Sequence, residues 1–460
     1  MRSMRLLIVI VSALAASLLI VPLASADEGD IEVLSQEVIS LFPDGINFYI
    51  AVQSSSPIDE IRVFYKSENT VTTSYGNLDF EPGERAEATF FLSTGSGTTQ
   101  GIGSYVPPGA VFHFSFEVRD EAGSVLKTQE EEFVYIDPRF EWTAISEGPI
   151  TVFHYGPTDK RAQTILESAV EAVANMARIL GVEDVEPINI VAYNNYSHMI
   201  TALPPRSQAV REGLITQGQA FTNIRVLLVL AFDEDFIGTT SHEVTHVIVD
   251  DAAGRAYSII PAWLNEGLAE VGNILPNEAY DNALLFGVYT RRLKPLWYLR
   301  VFTGDPDDVV IAYGQSSSVA SYLLNAYGEE KMAELLNQLG QTLSVDEALL
   351  RTYGFDQRGL DTEWRLQVGL KPFTDEELAE ESPLANAVPT LSPTPAIEGI
   401  PQAATPTAVP REGEGDTTTS PGCNRGSSTT GSIPADPFIM LLLAGPIGVW
   451  PLRRLRRPKL

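Results

Sequence analysis

The chain has 460 residues, of which 60 are acidic and 31 basic, so its formal net charge at pH 7 is −29. A surface this acidic argues against nucleic acid as a partner, because phosphates are bound mainly by Lys and Arg. The single cysteine, Cys423, excludes an intramolecular disulfide. The folded parts must therefore be stabilised by hydrophobic cores of ordinary size.

The N-terminal segment, residues 1–26, has the pattern of a secretory signal peptide. It carries Arg2 and Arg5, then a long apolar run, then the small residues of the sequence ASA. This pattern predicts cleavage before Asp27. An uncleaved anchor helix is the alternative, because the apolar run is long for a signal. In both cases the rest of the chain is exported, and an exported chain without disulfides is typical of the bacterial or archaeal envelope.

Residues 27–138 are predicted to form an all-β domain. Four alternating apolar runs lie at residues 46–52, 61–67, 86–93 and 111–120, and the turns PDG, EPGE, PPG and EAGS break this stretch of the chain. About seven short strands in about 110 residues predict a sandwich of the immunoglobulin or fibronectin type. His113 lies on one of the alternating strands, so we interpret it as a packed residue and not as a ligand.

Residues 139–371 are predicted to form an α+β, mainly helical domain. Residues 160–181 have apolar side chains at helical spacing, and residues 187–195 and 224–232 are expected to be buried strands. Further helical patterns follow at residues 262–275, 312–328 and 329–340. About 230 residues are enough for a catalytic domain with its own core.

The motif His-Glu-Val-Thr-His begins at His242, in the middle of this domain. On a helix His242 and His246 lie one turn apart on one face, so both imidazoles can bind one metal ion. Glu243 lies beside them, where it can take a proton from a water bound to zinc. Since two ligands do not hold a catalytic zinc ion, a third must come from elsewhere in the chain.

The candidate for the third ligand is Glu266, in the sequence WLNEGLAE, 20 residues after His246. The metzincin arrangement, with a glycine and a third histidine downstream, is excluded because Val249 and Ala252 occupy those positions. Glu270 lies one turn after Glu266 on the same helix face. We expect it to accept a hydrogen bond from a ligand imidazole.

With these two motifs the sequence resembles the gluzincins, the thermolysin and aminopeptidase clan of zinc metallopeptidases, and most closely the peptidase MA-like branch. The resemblance covers about residues 140–370 and implies one Zn²⁺ per chain and a peptide or protein substrate. It implies that His242, His246 and Glu266 are the zinc ligands, and that Glu243 is the general base.

Two further assignments follow from the resemblance. The aminopeptidase-type members have a tyrosine, at the start of a later helix, that stabilises the oxyanion, and Tyr313 in AYGQSSS matches it. Packing under the helix is the alternative role for Tyr313. The strand before the zinc helix lies along the cleft in these enzymes, so Gly218, Gln219 and Ala220 are expected near the peptide. This strand lacks the segment that grips a free amino terminus, which favours endopeptidase over aminopeptidase activity.

The C-terminal part is predicted to be a tether and an anchor. Residues 372–436 are rich in Pro and Thr and are predicted to be disordered. Residues 437–452 are apolar and form a predicted transmembrane or sorting segment, and residues 453–460 form a basic cytoplasmic tail. A buried terminal hairpin is the alternative for the apolar segment. Cys423 is either an incidental thiol or a lipidation or sorting residue.

Two functions are compatible with these features. The first is a zinc metallopeptidase on the cell membrane, single-pass, with its ectodomain outside the cell. The second is a catalytically silent envelope binding or adhesion protein that keeps a peptidase-like fold. Retention of Glu243 favours the first, because a purely structural zinc site has no use for a base.

Overall fold

The structure is a computed structural model. The chain divides into two units, one of Met1–Lys371 with Ile433–Leu460 and one of Pro372–Ser432. The structure describes residues 31–68, 70–94, 105–204, 215–232, 235–275, 278–302, 305–380 and 441–442. The predicted signal peptide, most of the Pro/Thr-rich linker, Cys423, the basic tail and all but two residues of the predicted anchor lie outside these ranges.

The N-terminal region is built from seven antiparallel strands. They are β1 (Glu32–Leu41), β2 (Gly45–Ser67), β3 (Ser74–Asn77), β4 (Gly83–Ser93), β5 (Ala110–Asp120), β6 (Val125–Lys127) and β7 (Glu131–Tyr135). Within them Phe48, from the first half of β2, packs against Phe114 and Tyr65, with ring centroids 5.6 and 6.0 Å apart. These contacts bury the alternating apolar residues that the sequence pattern pointed to. The β-rich region is therefore as expected, and its assignment to the immunoglobulin or fibronectin type stays a prediction.

Strand β2 differs from the sequence-based expectation. Residues 46–52 and 61–67 were expected to be separate strands, but they belong to one strand of 23 residues. Its first half pairs with β1 and β4, and its second half pairs with β3 and β5. The register shifts between Gln53 and Ile58 in the pairing with β4. This irregularity lets the strand change partners without a turn.

The second region contains a five-stranded sheet with the order β12-β13-β10-β9-β8. Strands β9, β10 and β13 run parallel, whereas β8 and β12 are antiparallel strands at the two edges. The strands are β8 (Trp142–Glu147), β9 (Ile150–Tyr155), β10 (Ile188–Tyr193), β12 (Gly218–Phe221) and β13 (Val226–Leu230). A separate pair joins β11 (Ile215–Thr216) to β14 (Leu441–Leu442).

The helices follow the predicted pattern and fill most of the chain after the sheet. They are α1 (Asp159–Leu180), α2 (Tyr196–Met199), α3 (Phe236–Ala253), α4 (Ala262–Gly272), α5 (Glu278–Thr290), α6 (Pro306–Tyr327), α7 (Glu329–Thr342), α8 (Val345–Tyr353), α9 (Gln357–Gln367) and α10 (Asp375–Glu380). Helix α10 lies in the second unit of the chain. In the described part of the chain, no helix has the length and apolar character needed to cross a membrane.

Both faces of the five-stranded sheet are buried. Along β10, Ile190 and Ala192 face helices α1 and α3, whereas Val191 and Tyr193 belong to the core formed with strands β1–β7. Strand β13 alternates in the same way, as expected for a strand with period two. The amide of Asn189 also donates to the carbonyl of Gly109, at 2.9 Å. The N-terminal region is therefore one layer of a continuous structure that also contains the sheet.

Candidate metal centre

The His-Glu-Val-Thr-His motif lies on α3, which is buried on nearly every face. Small polar residues make this burial possible, because their hydroxyls bond to the helix backbone. Ser241 donates to the carbonyl of Gly238 at 2.9 Å, and Thr245 donates to that of Ser241 at 2.8 Å. His242 and His246 lie on one face of the helix, with their rings 4.9 Å apart. Both imidazoles therefore point into the interior, towards α4.

Helix α4 brings Glu266 to the two histidines. Its Oε2 lies 3.3 Å from Nε2 of His242 and 3.6 Å from Nε2 of His246. Neighbouring ligand atoms around a tetrahedral zinc ion are about 3.4 Å apart, given metal–ligand distances of about 2.0–2.2 Å. Within the described residues these three side chains form a group that can hold a metal ion. The donor set of two imidazoles and one carboxylate fits zinc, and the role of the three residues as zinc ligands stays a prediction.

The outer nitrogen of each imidazole lies next to a side-chain oxygen that can accept a hydrogen bond. Nδ1 of His242 lies 2.8 Å from Oε1 of Glu270, and Nδ1 of His246 lies 3.1 Å from Oδ1 of Asn265. Both acceptors place the ring proton on Nδ1, which leaves Nε2 with a lone pair for a metal. The carboxylate of Glu270 thus lies beside His242, and its predicted role in holding a ligand imidazole stays a prediction. Asn265 was not identified from the sequence, although it directly precedes Glu266.

The charges of the centre favour a bound cation. Burial lowers the pKa of His242, but the carboxylates of Glu266 and Glu270 outweigh that effect and raise it to about 10. Burial lowers the pKa of His246 to about 4, against the opposing effect of Glu266. The two carboxylates therefore favour a proton on His242, and they favour a bound cation for the same reason. Metal binding replaces this proton, because only the neutral imidazole is a ligand.

Loss of the hydrogen bond from His246 is expected to weaken metal binding. We expect Asn265→Ala to reduce zinc affinity by about 10- to 100-fold, because the imidazole is then no longer held in one tautomer and orientation. Competition with a fluorescent chelator on the purified chain measures this affinity. Asn337→Ala, at an exposed position on helix α7 and outside the candidate centre, is the matched control and should leave it unchanged. Equal zinc affinity in Asn265→Ala and the wild type would contradict a supporting role for Asn265.

Glu243 is fully buried and lies against the edge strand β12. A Cβ atom added to Gly218 would lie 2.7 Å from Oε1 of Glu243 and 2.6 Å from Cγ2 of Thr239. Only glycine fits between the strand and the carboxylate. Gln219 and Ala220 follow on the same strand and are also buried. The structure thus places the predicted substrate strand next to the predicted base, and contact of this strand with a peptide stays a prediction.

Tyr313 lies on α6, with its ring centroid 6.4 Å from that of His242. Its ring also contacts Phe302 and Tyr280, at 5.0 and 5.2 Å. Burial and the charge of Glu266 raise the pKa of Tyr313 well above its ordinary value. The phenol stays protonated and can therefore donate a hydrogen bond near the three candidate ligands. Tyr313 can therefore pack against its neighbouring rings and also have the catalytic role that was predicted from the sequence.

The remaining histidines of the described chain lie outside this centre. His154 contacts Thr158, with Nδ1 3.1 Å from Oγ1, and burial lowers its pKa. His198 bonds to the hydroxyl of Tyr155 at 2.7 Å. His113 lies on β5 with its side chain partly exposed and Nδ1 3.8 Å from Glu130. None of these contacts involves His242, His246 or Glu266, so the three histidines do not join the candidate metal group.

Residues 168–369 match the Peptidase MA superfamily. No curated protein matches the chain. Among solved structures, an aminopeptidase N family protein from Idiomarina loihiensis is 10% identical, with a TM-score of 0.32 over 75% of this chain and 78% of its own. The Br derivative of BhCBM56 is 12% identical, with a TM-score of 0.16 over 23% of this chain and 99% of its own.

Both TM-scores are too low for these likenesses to bear on fold or activity. The family match covers strand β12 and helices α3, α4 and α6, and with them every residue of the candidate centre. The similarity to the Peptidase MA superfamily is thus a property of residues 168–369.

Proposed function

We propose that this protein is an exported, membrane-tethered zinc metallopeptidase that cleaves peptide bonds within polypeptides. The main support for the proposal is that His242, His246 and Glu266 converge at one point. Glu243 is buried beside them and is not one of these three candidate ligands. A structural zinc site closes its fourth position with protein, whereas a catalytic one has three protein ligands and a base nearby.

The chemistry follows from where the side chains lie. Zinc bound at this centre would act as a Lewis acid and lower the pKa of a coordinated water to about 7. Glu243 accepts the proton of the attacking water and passes it to the departing amine nitrogen as the C–N bond breaks. Tyr313 donates a hydrogen bond to the carbonyl oxygen as that oxygen gains negative charge. Glu270 and Asn265 hold the two imidazoles in place.

The edge strand β12 supports cleavage within a chain. It pairs with β13 on one side, and no other described strand pairs with its second side. An extended peptide can add to such an edge through backbone hydrogen bonds. The strand sequence Gly218–Phe221 contains no acidic residue that could bind a free amino terminus. Endopeptidase activity is therefore proposed over aminopeptidase activity.

The location of the protein is proposed from the sequence alone. The apolar segments at residues 1–26 and 437–452 and the basic tail at residues 453–460 support export with a C-terminal membrane anchor. An exported peptidase on such an anchor would act on polypeptides outside the cell or at its surface.

The proposal is tested by metal content and by cleavage. We expect the purified full chain to hold about one zinc ion by mass spectrometry and to cleave members of a fluorogenic peptide library. Glu266→Ala should lose both properties, because two imidazoles alone do not hold the ion. Glu171→Ala, an exposed position on α1, should keep both. A wild-type chain that binds no zinc, even after incubation with the metal, would overturn the proposal.

A further inference from the structure

Tyr280 is a buried residue near the start of α5 that the chemistry described above does not use. It is 3% exposed, and its hydroxyl has no hydrogen-bond partner among the described residues. Burial of a hydroxyl without a partner costs free energy, and buried tyrosine hydroxyls are usually bonded. A hydrogen bond to a bound substrate would remove this cost.

The ring of Tyr280 stacks on that of Tyr313, with centroids 5.2 Å apart and planes inclined by 12°. Gly314 allows this contact, because a Cβ atom there would lie 2.2 Å from the backbone oxygen of Tyr280. Helices α5 and α6 can therefore approach closely at this one position. Tyr313 is next to His242, so the ring of Tyr313 lies between the ring of Tyr280 and the candidate metal centre.

The electrostatic surroundings of Tyr280 include the candidate reaction centre. Burial raises the pKa of Tyr280 well above its ordinary value, and the charges of Glu270, Glu266 and Glu243 raise it further. The same three carboxylates act on Tyr313. Both hydroxyls thus lie in the field of the same groups, and both remain neutral donors while the protein is folded.

We propose that Tyr280 is a second hydroxyl donor of the reaction centre, which bonds with Tyr313 to the carbonyl oxygen of the scissile peptide bond. This inference rests on the proposed peptidase function. The two ring centroids are 5.2 Å apart. Two hydroxyls at a similar separation can both donate to one oxygen that lies between them, because an O–H···O bond spans about 2.7 Å. The oxygen gains negative charge as water adds to the carbonyl, so both bonds strengthen in the transition state.

The test compares Tyr280→Phe with Tyr353→Phe in the zinc-loaded full chain. The hydroxyl of Tyr353 is also buried without a described partner, but the nearby charge there is that of Glu334 on α7. We expect Tyr280→Phe to lower kcat on a fluorogenic peptide by about 10²-fold with little change in KM. Affinity for a phosphinic peptide, whose tetrahedral anion mimics the transition state, should fall by a similar factor. Tyr353→Phe should change neither quantity.

The melting temperature of Tyr280→Phe distinguishes a catalytic role of Tyr280 from a purely structural one. Because the hydroxyl of Tyr280 has no described partner, its removal should leave the Tm the same or raise it. A lower Tm, or a Tyr280→Phe chain that does not fold, would overturn the inference, as would unchanged kcat and phosphinic-peptide affinity. If the proposed function itself were wrong, the zinc-loaded wild type would neither cleave peptides nor bind the phosphinic peptide, and both proposals would fall together.

Discussion

Glu243→Gln is expected to abolish peptide hydrolysis while zinc stays bound. The carboxylate is fully buried next to His242 but is not one of the three converging ligands. Glutamine has nearly the same shape and cannot take a proton from water, so kcat should fall by about 10²- to 10⁴-fold. Zinc content, measured by mass spectrometry, and Tm should remain at the wild-type values. Hydrolysis is measured on the fluorogenic peptide that the wild type cleaves best.

Asp250→Asn is the matched control, because it makes the same change of carboxylate to amide near the end of the same helix. This variant should keep both zinc and hydrolysis. Full activity in Glu243→Gln would exclude the mechanism in which Glu243 is the base. A wild type that binds zinc but is as inactive as Glu243→Gln would favour the other function considered, a silent envelope binding protein with a peptidase-like fold.

The candidate centre was predictable where its geometry is local. His242 and His246 are four residues apart on one helix, and Glu266 and Glu270 are four apart on the next, so helical periodicity alone puts each pair on one face. Tyr280 and Asn265 could not be identified in this way. The stacking of Tyr280 on Tyr313 depends on the approach of two helices at Gly314, and no spacing in the sequence encodes that approach.

The fold, like the candidate centre, was predictable where it depends on the local spacing of residues along the chain. Alternating apolar residues predicted the strands β4 and β5, and helical periodicity predicted α1. The partners of each element depend on contacts distant in sequence, which explains why β2 was expected to be two strands. Nor did the apolar runs at β10 and β13 indicate what covers each face of the sheet. One face packs on α1 and α3, and the other on the N-terminal strands.

Deletion of residues 31–138 is expected to prevent the rest of the chain from folding as a soluble protein. The deletion uncovers the sheet face that contains Val191, Tyr193 and Leu228, which are fully buried in the intact chain. Each such side chain contributes about 2 kcal/mol when buried, and a domain has about 5–15 kcal/mol of stability in total. Loss of three or more of these contributions approaches that total and leaves a broad apolar surface exposed.

The deletion is tested by the soluble yield and by thermal unfolding followed by circular dichroism. Deletion of residues 384–432, in the predicted linker, is the control and should leave yield, Tm and zinc content unchanged. A soluble truncated chain that unfolds cooperatively and binds zinc would mean that the N-terminal strands form a separate module. The expected failure would instead mean that they stabilise the sheet whose edge strand β12 lies against Glu243, and so contribute to the candidate centre without touching it.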